Sequence, residues 1–341
     1  MSLREIMQAI FNNSHDDFCE ITAFSGWHFM YVIIILGLTI GMAFVFRHKS
    51  EKVKATNLNV LAYCVIGVYI LDFFIMPFSQ GKIDIDKLPF HFCTLIGCLI
   101  PFAQFNKKFE PIKDVIACLA IVTSLMYITY PGSALGSIST FSYKVIQTFL
   151  FHGLVLAWGF LSLATGGVKL KWKTIWKEAI AVAVIMLWAC FGNFAYNGIP
   201  DGHYYDWCFI TGSTFDFVPA WVVPIAVYVA VFGMCALIFL IYNITVKIMH
   251  NHNNKKLAVT TTSEDVVAIT TKANVRQNDK GQSASSEDVS KISSTDNKDS
   301  TKRDATTSSE QSLEVTNVEI IQKDNKVHKT NGKKPSTKSK K

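Results

Sequence analysis

The sequence predicts an all-α membrane protein, a polytopic bundle of about seven transmembrane helices with the N-terminus outside and a disordered C-terminal tail. Three observations predict this fold. Half of the 341 residues are hydrophobic, and almost all of the apolar content lies before residue 250. Apolar stretches of about 20 residues recur, which is the length a helix needs to cross a ~30 Å hydrocarbon layer. Finally, lysine and arginine concentrate in alternate loops, as they do in multi-pass membrane proteins.

The apolar stretches define seven predicted spans. A helix of a soluble protein carries one apolar stripe, whereas Val32–Phe46 and Val222–Ile241 are apolar on all sides. The first span is not a signal peptide, because acidic residues precede it and no small-residue cleavage site follows. Pro89 predicts the start of the third helix, since proline is favoured in a first helical turn. The predicted spans are Trp27–Phe46, Leu58–Phe78, Leu88–Phe105, Val115–Tyr130, Phe141–Leu163, Trp176–Phe194 and Phe217–Val246.

The charges of the loops orient the bundle. The loops after helices one, three and five are basic, whereas those after helices two, four and six are acidic or nearly neutral. Because cytoplasmic loops carry the excess of basic residues, the N-terminus is predicted outside and the C-terminus inside. The predicted parts are an extracytoplasmic segment 1–23, a transmembrane domain 24–249 and a cytoplasmic basic tail 250–341. The basic loop residues are Arg47, Lys49, Lys52, Lys54, Lys107, Lys108, Lys113, Lys169, Lys171 and Lys173.

The composition changes sharply after residue 250. No Phe, Tyr or Trp follows Tyr242, and Ser, Thr, Asn, Lys and Asp dominate. Such a segment cannot bury enough apolar surface to offset the entropy of ordering, so it is predicted to be disordered. A terminal lysine cluster suggests contact with anionic lipids, beside the plainer alternative of a solvated tail. No nucleic-acid-binding motif is present, and the expected partners are membrane lipids. The cluster comprises Lys333, Lys334, Lys338, Lys340 and Lys341.

The cysteines do not follow a metal-binding pattern. Six of the eight lie in predicted spans, where a free cysteine behaves as a small hydrophobic residue. Cys19 and Cys208 fall in outer segments, where a disulfide is chemically possible but not implied. No CxxC pair and no Cys/His spacing of a zinc site occurs, so neither a metal nor a cofactor is predicted.

Ionisable and polar residues inside spans are costly and usually face a cavity or one another. In this chain they concentrate in the outer half of the bundle, which predicts a polar pocket there. Some of the polar residues have an alternative interpretation. His28 can be an interfacial residue, Asp72 can be the partner of Lys144, and Cys93 can be ordinary packing. The predicted pocket residues are His28, Asp72, His91, Lys144 and Asn193.

Three residues are predicted to be reactive: Cys93, Thr94 and His152. A histidine in the middle of the membrane needs hydrogen-bond partners, which favours a functional or network role for His152. His91 cannot serve Cys93, because two residues on a helix are rotated by ~200°. His152 is the candidate base, although counting residues places Cys93 at ~8 Å and His152 at ~16 Å from the outer surface.

Four stretches carry a family resemblance. They are FSGWH (Phe24–His28), LPFHFC (Leu88–Cys93), YKVIQTFLFHGLVLAWGFL (Tyr143–Leu161) and KWKTIWKEAI (Lys171–Ile180). Together they resemble YwaF-type bacterial integral membrane proteins over about residues 20 to 245. That family is similar to eukaryotic transmembrane protein 164, an acyltransferase acting on phospholipids through a Cys/His pair. It more distantly resembles the androgen-induced membrane hydrolases, which use Thr and His on fatty esters.

The resemblance implies the fold, and it implies His152 as the family histidine with Cys93 or Thr94 as nucleophile. The chain departs from the eukaryotic motif, in which cysteine directly precedes the histidine: Phe90 occupies that slot, and Cys93 follows His91 by two residues. The sequence thus favours a multi-pass protein of the cell membrane that acts as a lipid-directed acyltransferase or hydrolase. The alternatives are a transporter and a non-catalytic ligand-binding or structural membrane protein.

Overall fold

A computed structural model describes residues 21–80, 85–132, 139–197, 204–210 and 219–281. Within these ranges the chain forms seven α-helices. Six are long and apolar enough to cross a membrane, and the third, with 14 residues, is shorter. The predicted membrane helical bundle is therefore confirmed. The helices are α1 Gly26–Phe46, α2 Glu51–Gln80, α3 Phe92–Phe105, α4 Lys113–Thr129, α5 Tyr143–Ala164, α6 Trp176–Tyr196 and α7 Val222–Gly281.

The third helix begins later than predicted. Its N-cap is His91, in an extended conformation, and Pro89 lies outside the helix. A residue that precedes proline is biased away from the helical region, which disfavours a start at Leu88. The freed carbonyls bind elsewhere: the Trp188 indole donates to Pro89 O at 2.8 Å, and Thr94 Oγ1 lies 3.3 Å from Leu88 O. The prediction that Pro89 occupies the first turn is wrong for this reason.

The centre of the bundle is formed by α4 and α5. In these two helices 61% and 72% of the membrane-crossing window is buried by protein, against 17% in α1, which therefore faces mainly lipid. Close approach of α4 and α5 depends on Gly159, since a Cβ there would lie 2.8 Å from Ala117 O. Small residues at such crossings let two backbones pack directly in a membrane.

Contacts at the helix ends agree with the predicted alternation of loops. At one end, Lys177 Nζ on α6 donates to Pro111 O in the loop after α3 at 2.7 Å. At the other end, the Tyr31 hydroxyl on α1 donates to Thr140 O before α5 at 2.9 Å. The first end carries the basic loops. Following the predicted orientation, we call it the inner end and the opposite one the outer end.

The last helix is much longer than a membrane span. Its apolar part is covered by Val222–His252, a candidate span of 31 residues. The helical backbone continues to Gly281, into the region predicted as a tail, and a boundary between two compact units falls after Val267. The rest of that tail, including its terminal lysine cluster, lies outside the described residues, as does Cys19. The disorder of the tail and its lipid contact therefore stay predictions.

Candidate functional site

A polar network crosses the outer half of the bundle and is anchored on Asp72 of α2. Its carboxylate is buried and lies 3.1 Å from Lys87 Nζ, which reaches in from the loop before α3. Lys87 Nζ also donates to Gln147 Oε1 on α5 at 3.3 Å, and Tyr143 interacts with Asp72. Asp72 was predicted to pair with Lys144 as one alternative, but its partner is the loop lysine. We call Asp72, Lys87, Gln147, Thr148 and His152 the outer polar network.

His152 lies at the deep end of this network. Its Nδ1 is 2.7 Å from the Thr148 carbonyl, and that geometry places a proton on Nδ1 and a lone pair on Nε2. The Tyr127 ring stacks on the imidazole at 3.7 Å with an interplanar angle of 8°, which fixes the plane of the ring. Nε2 is buried and has no hydrogen-bond partner among the described residues. The arrangement leaves an oriented, unoccupied basic nitrogen inside the bundle.

The two candidate nucleophiles differ in what their side chains do. The Thr94 hydroxyl is buried beside two backbone carbonyls, 3.1 Å from His91 O and 3.3 Å from Leu88 O, so its proton is directed to the backbone. Cys93 is a free, half-buried thiol in the first turn of α3. The charge of Lys87 acts on Cys93 as well as on His152. Of the two, Cys93 has the available side chain.

Cys93 and His152 are not in contact. The two helices pack closely where Gly97 meets Phe151, because a Cβ at Gly97 would lie 2.5 Å from the end of that ring. Cys93 is one helical turn, about 6 Å, outward from Gly97, and His152 is one residue, about 1.5 Å, inward from Phe151. Counted from this contact, the two candidate residues are offset by about 7–8 Å along the helices.

Two predicted pocket residues are bound entirely to backbone. His28 Nδ1 accepts from Phe24 N at 3.0 Å, in the segment just before α1, and Nε2 donates to Ile128 O at 2.8 Å, which connects α1 to the end of α4. The Asn193 amide binds both backbone groups of Trp207, accepting from N at 2.9 Å and donating to O at 3.3 Å. These contacts hold the outer ends of the helices and the outer loop in place.

The remaining two predicted pocket residues, His91 and Lys144, do not belong to the outer polar network. His91 is half-buried at the start of α3, where the charges of Asp206 and Lys87 act on it. Lys144 is half-buried, and in the described part of the chain no hydrogen bond or ion pair of its side chain is present. Neither residue joins the outer polar network by a hydrogen bond.

Sequence reasoning missed Lys87, Gln147 and Tyr127. Lys87 was counted only as a loop charge, although it directly precedes the LPFHFC stretch and Asp72 needed a partner. Gln147 lies five residues before His152 and is 6% exposed, so it was detectable as a polar residue in a span. Tyr127 lies on α4, and nothing in the sequence indicates which side chain stacks on His152.

Metal-ligand side chains converge at one place in the described residues, and it is at the other end of the bundle. Cys118, Glu178 and Cys235, on α4, α6 and α7, are all buried, with ligand atoms within 4.8 Å of one another. The absence of a metal was predicted from local spacing. These three residues are too far apart in sequence for spacing to reveal them.

Comparisons with known proteins give one result. The model of the TMEM164 family matches residues 23–242, which is well over half of the chain. No curated protein and no solved structure match. The matched range includes α1 to α6, the apolar part of α7 and every residue of the outer polar network.

Proposed function

The chain belongs to the TMEM164 family of multi-pass membrane proteins, and from that premise we propose that it is a lipid-directed acyltransferase or ester hydrolase with His152 as general base. One observation carries the proposal. His152 has Nδ1 fixed by the Thr148 carbonyl, a ring plane fixed by Tyr127, and a buried Nε2 without a partner. A histidine held through one nitrogen and free at the other is the arrangement that general-base catalysis uses.

Cys93 is the nucleophile in this proposal. Its sulfur attacks the carbonyl carbon of an acyl ester, the carbon–oxygen bond of the ester breaks, and the proton of the thiol passes to the released alcohol. The acyl group is then held as a thioester. Cys93 lies in the first turn of α3, beside the N-terminal end of the helix and within reach of the charge of Lys87.

His152 serves the second half of the reaction. An acceptor hydroxyl, from a lysolipid or from water, attacks the thioester while Nε2 takes its proton; the carbon–sulfur bond breaks, and the proton then returns from Nε2 to the sulfur through water, which restores the thiol. An offset of about 7–8 Å along the helices is too long for a direct hydrogen bond, so the acceptor binds between the sulfur and Nε2. Since His152 is 4% exposed, neighbouring side chains must move to admit the acyl chain.

The test is turnover of a labelled phospholipid by the purified protein in nanodiscs. His152→Asn keeps a donor near the Thr148 carbonyl but lacks Nε2, so turnover should fall by about 10²–10⁴-fold with the fold intact. Turnover by Cys93→Ser should also fall, because a hydroxyl is a poorer nucleophile than a thiolate near neutral pH. Matched controls are His48→Asn and Cys64→Ser, which are exposed positions outside the network and should keep full turnover.

Three results would change the assignment. If Cys93→Ser is silent and Thr94→Val abolishes turnover, the nucleophile is the threonine, as in the androgen-induced hydrolases. If His152→Asn retains turnover, the base is another group and the proposal fails. If the wild-type protein turns over no lipid ester, a transporter or a ligand-binding protein is the better description.

A further inference from the structure

The inner half of the bundle contains a second group of reactive side chains that the proposed function does not use. Cys118 of α4, Glu178 of α6 and Cys235 of α7 are each 0% exposed. Their ligand atoms, two thiol sulfurs and a carboxylate oxygen, lie within 4.8 Å of one another. We call these three residues the inner cluster.

The carboxylate of Glu178 is the unusual member. Neither of its oxygens has a hydrogen-bond partner in the described structure; the two thiols lie within 4.8 Å of it, and the charges of Asp114 and Lys177 also act on it. The nearest cation, Lys177, is bound to Pro111 O at 2.7 Å and to Asp114 Oδ2 at 3.7 Å. A buried carboxylate without partners is costly unless a proton or a cation neutralises it. The inner cluster therefore lacks a positive partner.

We propose that the inner cluster binds a thiophilic divalent metal ion, with zinc as the physiological ion. Two thiolates and one carboxylate match the ligands that zinc takes in proteins, whereas magnesium and calcium prefer oxygen alone. Zinc–sulfur bonds of about 2.3 Å in a tetrahedron put two sulfurs about 3.8 Å apart, so the side chains move together by at most about 1 Å. Binding releases both thiol protons to solvent and leaves the fourth position for water.

Asp114 is an acidic residue next to the inner cluster that also reaches the inner surface. Asp114 precedes Cys118 by one helical turn, and its charge acts on both Cys118 and Glu178. Its side chain also lines a cleft of about 290 Å³ at the inner end. Four lysines line the same cleft, which opposes the approach of a cation, so we expect loading mainly while the protein folds. They are Lys113, Lys169, Lys171 and Lys177.

The metal would fasten the last helix to the bundle. In α7 the buried residues Val231, Cys235 and Phe239 recur every four positions and form one inward stripe. Cys235 is the middle of this stripe, and the other two ligands come from α4 and α6. A bound ion would thus connect three helices that are distant in sequence, in addition to their apolar packing.

The experiment measures metal content in the full-length protein, purified in nanodiscs without chelator from cells supplied with zinc. About one zinc per chain is expected, with loss of at least nine-tenths of it in Cys118→Ser, Cys235→Ser and Glu178→Gln. Cys190→Ser and Cys64→Ser are matched controls with exposed cysteines and should keep the zinc. Cobalt added to the chelated protein should give a thiolate-to-metal absorption band that the first three variants lack.

Two outcomes would overturn the proposal. Wild-type protein without zinc and without the cobalt band would show that the cluster is a neutral carboxyl–thiol group. Equal zinc in the wild type and in the three variants would show that the metal is bound elsewhere. If the variants do not fold, X-ray absorption of the zinc in the wild type decides: two sulfur ligands at about 2.3 Å are expected, and a shell of nitrogen and oxygen alone refutes the site. None of these readouts depends on lipid turnover, so this proposal and the proposed function can fail separately.

Discussion

The replacement of Gly192 by alanine tests how the outer loop holds the reactive segment. A Cβ at Gly192 would lie 2.5, 2.6 and 2.9 Å from three ring atoms of Phe90. Non-bonded carbons normally approach to about 3.5–4.0 Å, so the ring must retreat by about 1 Å. It has little space to do so, because Trp188 and Trp207 enclose it with ring centroids 5.1 and 4.8 Å away.

The expected cost follows from the rigidity of this site. Overpacking of a well-packed core costs about 1–3 kcal/mol, and an enclosed aromatic ring favours the upper half of that range. With about 2–4 °C per kcal/mol for a domain of this size, Gly192→Ala should lower Tm by about 4–12 °C. The retreat of Phe90 also moves the segment that leads into Cys93, so lipid turnover should fall while the outer polar network stays intact.

Thermal unfolding in nanodiscs measures the loss, and Phe90→Leu tests its cause. Removing the ring makes room for the alanine, so the double variant should recover more than about 1 kcal/mol relative to additivity. Gly41→Ala is the matched control, because nothing lies within 4 Å of a Cβ there. An unchanged Tm for Gly192→Ala, or strict additivity with Phe90→Leu, would refute the packing derived for this segment.

Two further predictions concern the outer loop and the orientation. Asn193→Ala leaves the buried backbone groups of Trp207 unpaired, which costs about 1–3 kcal/mol, so proteolysis of the loop around 204–210 should accelerate; unchanged cleavage would mean that these hydrogen bonds do not hold the loop. A reporter active only in the cytoplasm should work when fused after Lys256 and not when inserted at Asp201–Gly202, and the opposite pattern would reverse the assignment of inner and outer ends.

The spans could be predicted because each is a continuous apolar stretch of the sequence. A helix that crosses the hydrocarbon layer needs about 20 mostly apolar residues, whatever its neighbours are. The structure accordingly places α1, α4, α5 and α6 within a few residues of the predicted segments. For α3, the sequence indicates only that Leu88, which precedes Pro89, is disfavoured as a helical residue. That the helix begins as late as Phe92 depends also on Trp188 and Thr94, which bind the carbonyls of Pro89 and Leu88.

The sequence indicated which polar residues lie in the candidate site, but not which groups they bind. His152 was recognised because an imidazole in a span needs partners, and it has one at Nδ1. The partner of Asp72 was not identified, since a long lysine side chain can reach it from a loop as well as from a helix. Likewise, His28 and Asn193 carry the same polarity as catalytic groups, and only the structure shows that the backbone occupies them.

The positions of the reactive groups point to separate control of chemistry and geometry. The His152 imidazole is held by the Thr148 carbonyl of its own helix, α5. His152 therefore keeps its tautomer when neighbouring helices shift. Cys93, in contrast, follows Phe90 in the chain. The Phe90 ring packs against Gly192 on α6 and against Trp207 in the outer loop. A change in that packing moves Cys93 relative to a stationary His152. If the two residues act as proposed, substitutions in α6 should alter lipid turnover as strongly as substitutions beside Cys93, although α6 contributes neither of the two proposed reactive groups.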